Sequence, residues 1–166
     1  PRGVAVDEAM NVFIADAGNH RIRKVNAATG EITTVAGTGS RGFNGDGGSA
    51  SLAQLDSPTD VALGPNGDLY LLDQYNQRVR RVAYDTQFIS TVAGDGSTGF
   101  SGDGGPATAA SLAAYSNRIA VDRAGNIYIA ERANNRVRRV DHETQVITTI
   151  AGTGLSAFGG DGGPAN

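Results

Sequence analysis

Asn11-Val12-Phe13-Ile14-Ala15-Asp16 returns as Asp68-Leu69-Tyr70-Leu71-Leu72-Asp73 and again as Asn126-Ile127-Tyr128-Ile129-Ala130-Glu131, at spacings of 57 and 58 residues. Self-similarity at a fixed period of this size marks a chain built from stacked repeat units, and it takes precedence over any single motif. Working outward, the upstream Arg2-Gly3-Val4-Ala5-Val6-Asp7 recurs as Thr59 to Gly64 and Asn117 to Asp122. Downstream, Asn19-His20-Arg21-Ile22-Arg23-Lys24-Val25 matches Asn76 to Val82 and Asn134 to Val140, and Ile32 to Gly37 matches Ile89 to Gly94 and Ile147 to Gly152. Each unit thus holds four short segments rich in β-branched residues, and the stretches between them are too short for helices. Four strands joined in this way pair as an antiparallel meander. The expected units run over residues 1–57, 58–115 and 116–166.

The exception to short connections is the stretch after each fourth strand, Thr38 to Ser57 in the first unit. It is glycine-rich and built around Gly45-Asp46-Gly47-Gly48, which recurs at Gly102 to Gly105 and Gly160 to Gly163. Pro106 to Leu112 within the second such loop reads as one or two turns of helix, with proline at a first turn and alanines behind it. The loop is expected to fold over the ring of repeats.

Composition agrees with an all-β chain. The 24 glycines fall in clusters without a collagen-like period, as many tight turns require. A formal charge of −3 runs against phosphate-driven nucleic-acid binding. No apolar run approaches the roughly 20 residues needed to span a bilayer, so no membrane association is expected. Zero cysteines exclude disulfides and thiolate chemistry and leave the compartment undecided.

Four-stranded antiparallel units in series are the pattern of a β-propeller, whose blades are too thin to bury both faces alone. The residues resemble NHL repeats, in the bacterial variant carrying a Gly-Phe-X-Gly-Asp-Gly-Gly loop. The resemblance covers the whole chain through Val4-Ala5-Val6, the Asp16-X-X-Asn19-X-Arg21 turn, and Thr34 to Gly37 leading into Gly42 to Gly48. Departures are Glu131 for the aspartate, Ser116 for Pro1 and Pro58, Gly64 for Asp7, and Ala157-Phe158 for Gly-Phe. The resemblance implies a six-bladed ring, of which three blades are half. A chain starting at Pro1 is expected to be a processed or excised piece, and Asn166 aligns with Ser51, about six residues short of a full module. A second copy completing the ring head to tail is the expected partner, and a missing half of a longer protein is the rival.

An up-and-down meander returns the long loops and the Asp-X-X-Asn turns to one rim, with Arg2, Thr59 and Asn117 near the central channel. For Asp46, Asp103 and Asp161 two readings stand: oxygen ligands of a calcium-like ion, or aspartates capping their own loop amides. One carboxylate per loop favours the second. Asp16, Asp73 and Glu131 with Asn19, Asn76 and Asn134 read as turn-stabilising groups, since a catalytic pair is needed once and these occur in every blade. Arg21, Arg78 and Arg136 should bond loop carbonyls or carboxylates beside those turns.

The third strands carry nine of the fourteen basic residues: Arg21, Arg23, Lys24, Arg78, Arg80, Arg81, Arg136, Arg138 and Arg139. This resembles an RNA-binding stripe, yet outer-strand cations also cover apolar surface with their stems and stay wet. No nucleic-acid partner is expected. Only two histidines occur, His20 and His142, at non-equivalent positions, so neither a metal nor another cofactor is expected.

Residues that break the repeat carry no shared structural duty and are the better site candidates: Arg41, Asp60, Tyr75, Arg118 and Arg132, together with Arg2. The leading expectation is a non-catalytic module presenting a loop-rich rim to a protein, peptide or glycan. The alternatives are half of a propeller lyase or hydrolase acting at the channel mouth, which the fold resemblance brings in, and a purely structural half-ring that self-assembles.

Overall fold

The computed structural model describes residues 1–157 and 159–166, and at position 117 the backbone alone. Three sheets follow one another along the chain. Blade 1 holds β1 (Val4–Val6), β2 (Val12–Asp16), β3 (Arg21–Val25) and β4 (Ile32–Ala36); blade 2 holds β5 (Pro58–Leu63), β6 (Leu69–Asp73), β7 (Arg78–Val82) and β8 (Ile89–Ala93). Blade 3 holds β9 (Ser116–Val121), β10 (Ile127–Glu131), β11 (Arg136–Val140) and β12 (Ile147–Ala151). Within each sheet the strands are paired in sequence order, all antiparallel. Among the described residues no helix is long and apolar enough to cross a membrane.

Alternation along each second strand decides which blade it touches, because successive side chains leave opposite faces of a sheet. Phe13 and Ala15 of β2 pack in one apolar cluster with Val61, Leu69, Leu71, Val82 and Ile89 of blade 2. Tyr70 and Leu72, the other face of β6, pack with Ile119, Ile127, Ile129, Val140 and Ile147 of blade 3. Every blade therefore has a leading face, turned toward the preceding unit, and a trailing face, turned toward the next. The two internal joints are the core of the molecule, and burial between blades supplies the driving force that a single thin sheet lacks.

The connection from second to third strand is one 3-10 turn closed by a left-handed residue: His20, Gln77 or Asn135, with φ of 51°, 46° and 49°. The end of the fourth strand passes close against this residue. Gly37 has φ 94°, and a Cβ there would collide with the His20 carbonyl, so glycine is required on both counts. Gly94 and Gly152 stand in the same relation to Gln77 and Asn135.

The long loops run to the next blade and pair with it, where the sequence suggested folding over the ring. Gly47 donates to the Ile89 carbonyl at 2.8 Å, Ile89 donates to Gly48 at 2.9 Å, and Ala50 donates to Gln87 at 2.9 Å. Gly104, Gly105 and Ala107 repeat this with Ile147 and Gln145 of blade 3. The helical stretch expected over Pro106 to Leu112 is a single 3-10 turn, Ala107–Ala109, matched by Ala50–Leu52 in the first loop. Its buried alanines close against the preceding fourth strand, since the Gly37 amide donates to Ala50 and the Gly94 amide to Ala107, both at 2.9 Å.

Candidate functional site

The repeated polar residues are spent on the joints between blades. The Arg80 side chain is fully buried, 0% exposed, and reaches back to the preceding loop, donating to Asp46 Oδ1 at 2.6 Å, to the Asn44 carbonyl at 2.9 Å and to the Gln54 carbonyl at 3.1 Å. Asp46 Oδ2 accepts the Thr91 hydroxyl at 2.7 Å. In the next joint Arg138, equally buried, donates to Asp103, Ser101 and Ser111, and Asp103 accepts from Thr149. Bonds from Thr149 and Arg138 outweigh burial and hold the Asp103 carboxyl below its ordinary range. A register shift in the ladder of third and fourth strands falls beside each arginine, between Val79 and Arg80 and between Val137 and Arg138. The extra residue re-aims the fourth strand so that its threonine meets the loop carboxylate.

Two expectations are thereby corrected. Asp46 and Asp103 bind an arginine and a threonine of the next blade and do not cap their own loop amides; the loop turn is closed instead by backbone, Gly48 and Gly105 donating to Gly45 and Gly102. Among the third-strand cations, Arg80 and Arg138 are buried rather than wet, because a loop contributed by a neighbouring blade surrounds them. Asp161 occupies the same loop position after blade 3, and Phe158, a departure from the repeat, lies outside the described residues.

At the second-strand turns, Asn19, Asn76 and Asn134 donate to Asp16, Asp73 and Glu131 at 2.9, 2.8 and 2.6 Å. Arg21, Arg78 and Arg136 donate to the carbonyls of Thr38, Asp95 and Thr153. In the joints the turn also touches the preceding loop: Asn76 donates to Gly42 and Asn134 to Gly99. Arg78 and Arg136 lie 3.9 Å over the rings of Phe43 and Phe100. Burial pushes Asp73 up to about 6, against hydrogen bonds from Asn76 and the Asp56 amide and the charge of Arg80, and it raises Glu131 for the same reason.

One rim cluster does not repeat. Arg41 donates to Asp56 Oδ2 at 2.8 Å while its guanidinium stands 5.9 Å over the ring of Tyr75. Asp56 is buried, and its other oxygen, Oδ1, has no hydrogen-bond partner and lies 3.6 Å from His20 Nδ1. That nitrogen accepts the Ser57 amide at 3.1 Å, so in this geometry it has no proton to give Asp56. The Asp56 amide donates to Asp73 Oδ1 at 2.7 Å. The Arg41 side chain is 72% exposed and Tyr75 is half exposed, so a guanidinium and a ring edge are held toward solvent on a buried acidic base. Sequence reading singled out Arg41 and Tyr75 and missed His20 and Asp56. Their signal was the same departure from the repeat: Asp56 aligns with Ala113, and His20 with Gln77 and Asn135.

The remaining candidates lie elsewhere. Asp60 is buried in β5, where burial raises its carboxyl against the Ile119 amide and Arg118. Its Oδ2 accepts from Ile119 at 2.9 Å, Oδ1 lies 3.9 Å from Arg118, and a Cβ on Gly3 would strike it. Asp60 therefore joins the first strands of blades 2 and 3 and packs close against Gly3 ahead of the first strand of blade 1. Arg2 is exposed just before β1, its amide bonded to Ala15. Thr59 is buried, and the side chain of Asn117 lies outside the described residues. Arg132 is exposed on the third blade's turn, away from the Arg41 cluster. A cleft of about 520 Å³ opens between blades 1 and 2 on the face opposite the rim, lined by Val6, Phe13, Lys24, Leu63, Pro65 and Tyr84. Its lining is mostly apolar, and Asp7 at its edge is committed to Asn11. Among the described residues no three His, Asp or Glu side chains are grouped to hold a metal ion.

Residues 1–83, half of the 166, match the Teneurin NHL domain family. NHL repeat-containing protein 2 of Bos taurus is 34% identical over 92 residues, covering 54% of this chain and 12% of that protein. The chain thus spans a small part of the curated relatives it matches. Among solved structures, a chain of a nidogen/laminin complex superposes with a TM-score of 0.64 at 17% identity, over 93% of this chain and 49% of that one. A streptogramin B lyase superposes with a TM-score of 0.56 at 15% identity, over 90% and 39%. At such identities the structural likeness establishes the propeller fold alone. With its three meander sheets and the family match across half its length, the chain belongs to the Teneurin NHL domain family.

Proposed function

We propose that the chain is a non-catalytic recognition module that takes a protein or peptide partner on the rim between blades 1 and 2. The observation that carries this reading is the non-repeating cluster of His20, Arg41, Asp56 and Tyr75. A planar guanidinium, oriented by a buried carboxylate and placed beside an aromatic ring, is suited to a partner's carboxylate with an apolar neighbour. The rigid sheets beneath fix the loops that bear it, an arrangement common in binding surfaces. Asp56 holds Arg41 through its Nε, and the remaining guanidinium donors stay available to a partner.

The test is selection of a displayed random peptide library on the immobilised chain, followed by fluorescence anisotropy of the enriched peptides. Acidic peptides should be enriched, and Arg41→Ala should weaken their binding by about tenfold or more. Failure to enrich any peptide, or unchanged affinity in Arg41→Ala, overturns the reading.

A second reading draws on the His20, Asp56 and Asp73 arrangement: with Nδ1 of His20 taken up by the Ser57 amide, its Nε2 is the atom for acid-base work, beside a carboxylate that holds its proton up to about pH 6. Lyases with this fold make that class worth testing. Turnover of simple lactones that disappears in His20→Ala would favour it over recognition.

A further inference from the structure

We propose that the cleft between blades 1 and 2, on the face opposite the rim, binds a small monocarboxylate whose aliphatic tail lies between the two sheets and whose carboxylate pairs with Lys24. The proposal concerns the other face of the molecule from the Arg41 cluster and does not depend on the rim reading.

The two joints start from one repeat and end differently on this face. In the first, Phe13 and Val35 of blade 1 stand across from Leu63, Leu69 and Val82 of blade 2, and a space of about 520 Å³ remains at their edge. At the corresponding place in the second joint, Tyr70, Arg81 and His142 replace Phe13, Lys24 and Tyr84. The space there falls to about 350 Å³, with Asp68 and Asp85 among its walls. The larger cleft has the size and the mostly apolar lining of a site for a small organic ligand, in which a few polar groups fix orientation.

Lys24 is that polar group. Each third strand carries a cation at this position, and two of the three are paired: Arg81 Nε lies 3.4 Å from Asp68, and Arg139 Nη2 lies 3.1 Å from Asp141. Blade 1 has asparagine at both positions that supply those acids, Asn11 for Asp68 and Asn26 for Asp141. Both amides are engaged with backbone, Asn11 Oδ1 accepting from Ala27 at 3.0 Å and Asn26 Oδ1 from Ala28 at 2.9 Å. Lys24 thus makes no ion pair among the described residues, and its ammonium stands 5.3 Å from the centre of the Phe13 ring, at the apolar wall of the cleft. A half-buried cation beside aliphatic walls suits an anion with an apolar tail. Two acids limit the charge of that anion. Asp7 feels Lys24 but spends both oxygens on Asn11, and Glu8 is exposed at the mouth. One lysine near two carboxylates favours a singly charged head group over a phosphate dianion.

Isothermal titration calorimetry of decanoate into the 166-residue chain should show saturable one-to-one binding at sub-millimolar concentration. Decanol, with the same tail and no charge, should bind at least about tenfold more weakly, and decyltrimethylammonium more weakly still. Lys24→Met should weaken decanoate by about tenfold or more and leave decanol unchanged. Asn26→Asp gives Lys24 the acid that Arg139 has, and should weaken decanoate by a similar factor. This variant keeps the local turn, because Asp141 Oδ1 accepts the Thr144 amide at 3.0 Å as Asn26 Oδ1 accepts the Thr29 amide at 3.1 Å. Val35→Phe, which fills the cleft, should abolish binding of decanoate and decanol alike. Absence of saturable binding, equal affinity for decanoate and decyltrimethylammonium, or unchanged decanoate affinity in either Lys24→Met or Asn26→Asp would overturn the proposal.

Discussion

The joints between blades 1 and 2 and between blades 2 and 3 solve one packing problem with nearly the same residues. Both bury an arginine over a phenylalanine and lock it to the aspartate of the incoming loop: Arg80 with Phe43 and Asp46, Arg138 with Phe100 and Asp103. The Asp56 amide donates to the Asp73 carboxylate at 2.7 Å in the first joint, and the Ala113 amide lowers the pKa of the Glu131 carboxyl in the second. The side chains at these two positions differ. At the first joint Asp56 adds a carboxylate that holds Arg41 and faces His20; at the second, Ala113, Thr98 and Gln77 occupy those positions. What both joints possess is needed for stacking, and what only one possesses is free to serve recognition.

The largest effect should come from the shared part. Arg80→Met and Arg138→Met each leave buried carboxylates without their cation and should each cost about 3–5 kcal/mol in urea unfolding. A cost at only one joint would break the equivalence between them.

The second effect concerns pH. Asp73 holds its proton more tightly folded than unfolded, so the folded state binds more protons between the ordinary carboxylate range and about pH 6. Its contribution is thus fully present at low pH and is lost as pH rises through that window, about 3 kcal/mol in all. Asp73→Asn should flatten this part of the stability profile, and Glu131→Gln should do so at the second joint. An unchanged slope in Asp73→Asn would show that burial at the turn does not set it.

The smallest effect belongs to the feature that distinguishes the joints. Arg41→Ala should cost about 1–2 kcal/mol, less than either buried arginine, because Arg41 is itself exposed although the Asp56 carboxylate it leaves is buried. A large loss of stability would move Arg41 into the shared structural set and weaken its assignment to a partner.

The repeat made the twelve strands legible, with the second blade opening at Pro58 and the third at Ser116. Four-stranded units repeated in series pointed to thin blades that must stack on one another. The same text misplaced Arg80 and Arg138. Their pattern reads as an outer strand, and only the arrival of residues 34 to 36 positions away along the chain makes those sites dry. It also missed His20 and Asp56, which lie far apart along the first unit and gain meaning only as neighbours.

Local pattern, then, determined strand positions, pairing order and the existence of stacked blades, because hydrophobic alternation and turn chemistry act over a few residues. Tertiary structure decided which cations are buried, which loop locks which blade, and that Arg41, Asp56, His20 and Tyr75 share one rim. Those outcomes depend on the joint between two blades, where burial and charge pairing are set by residues that no local stretch of sequence contains together.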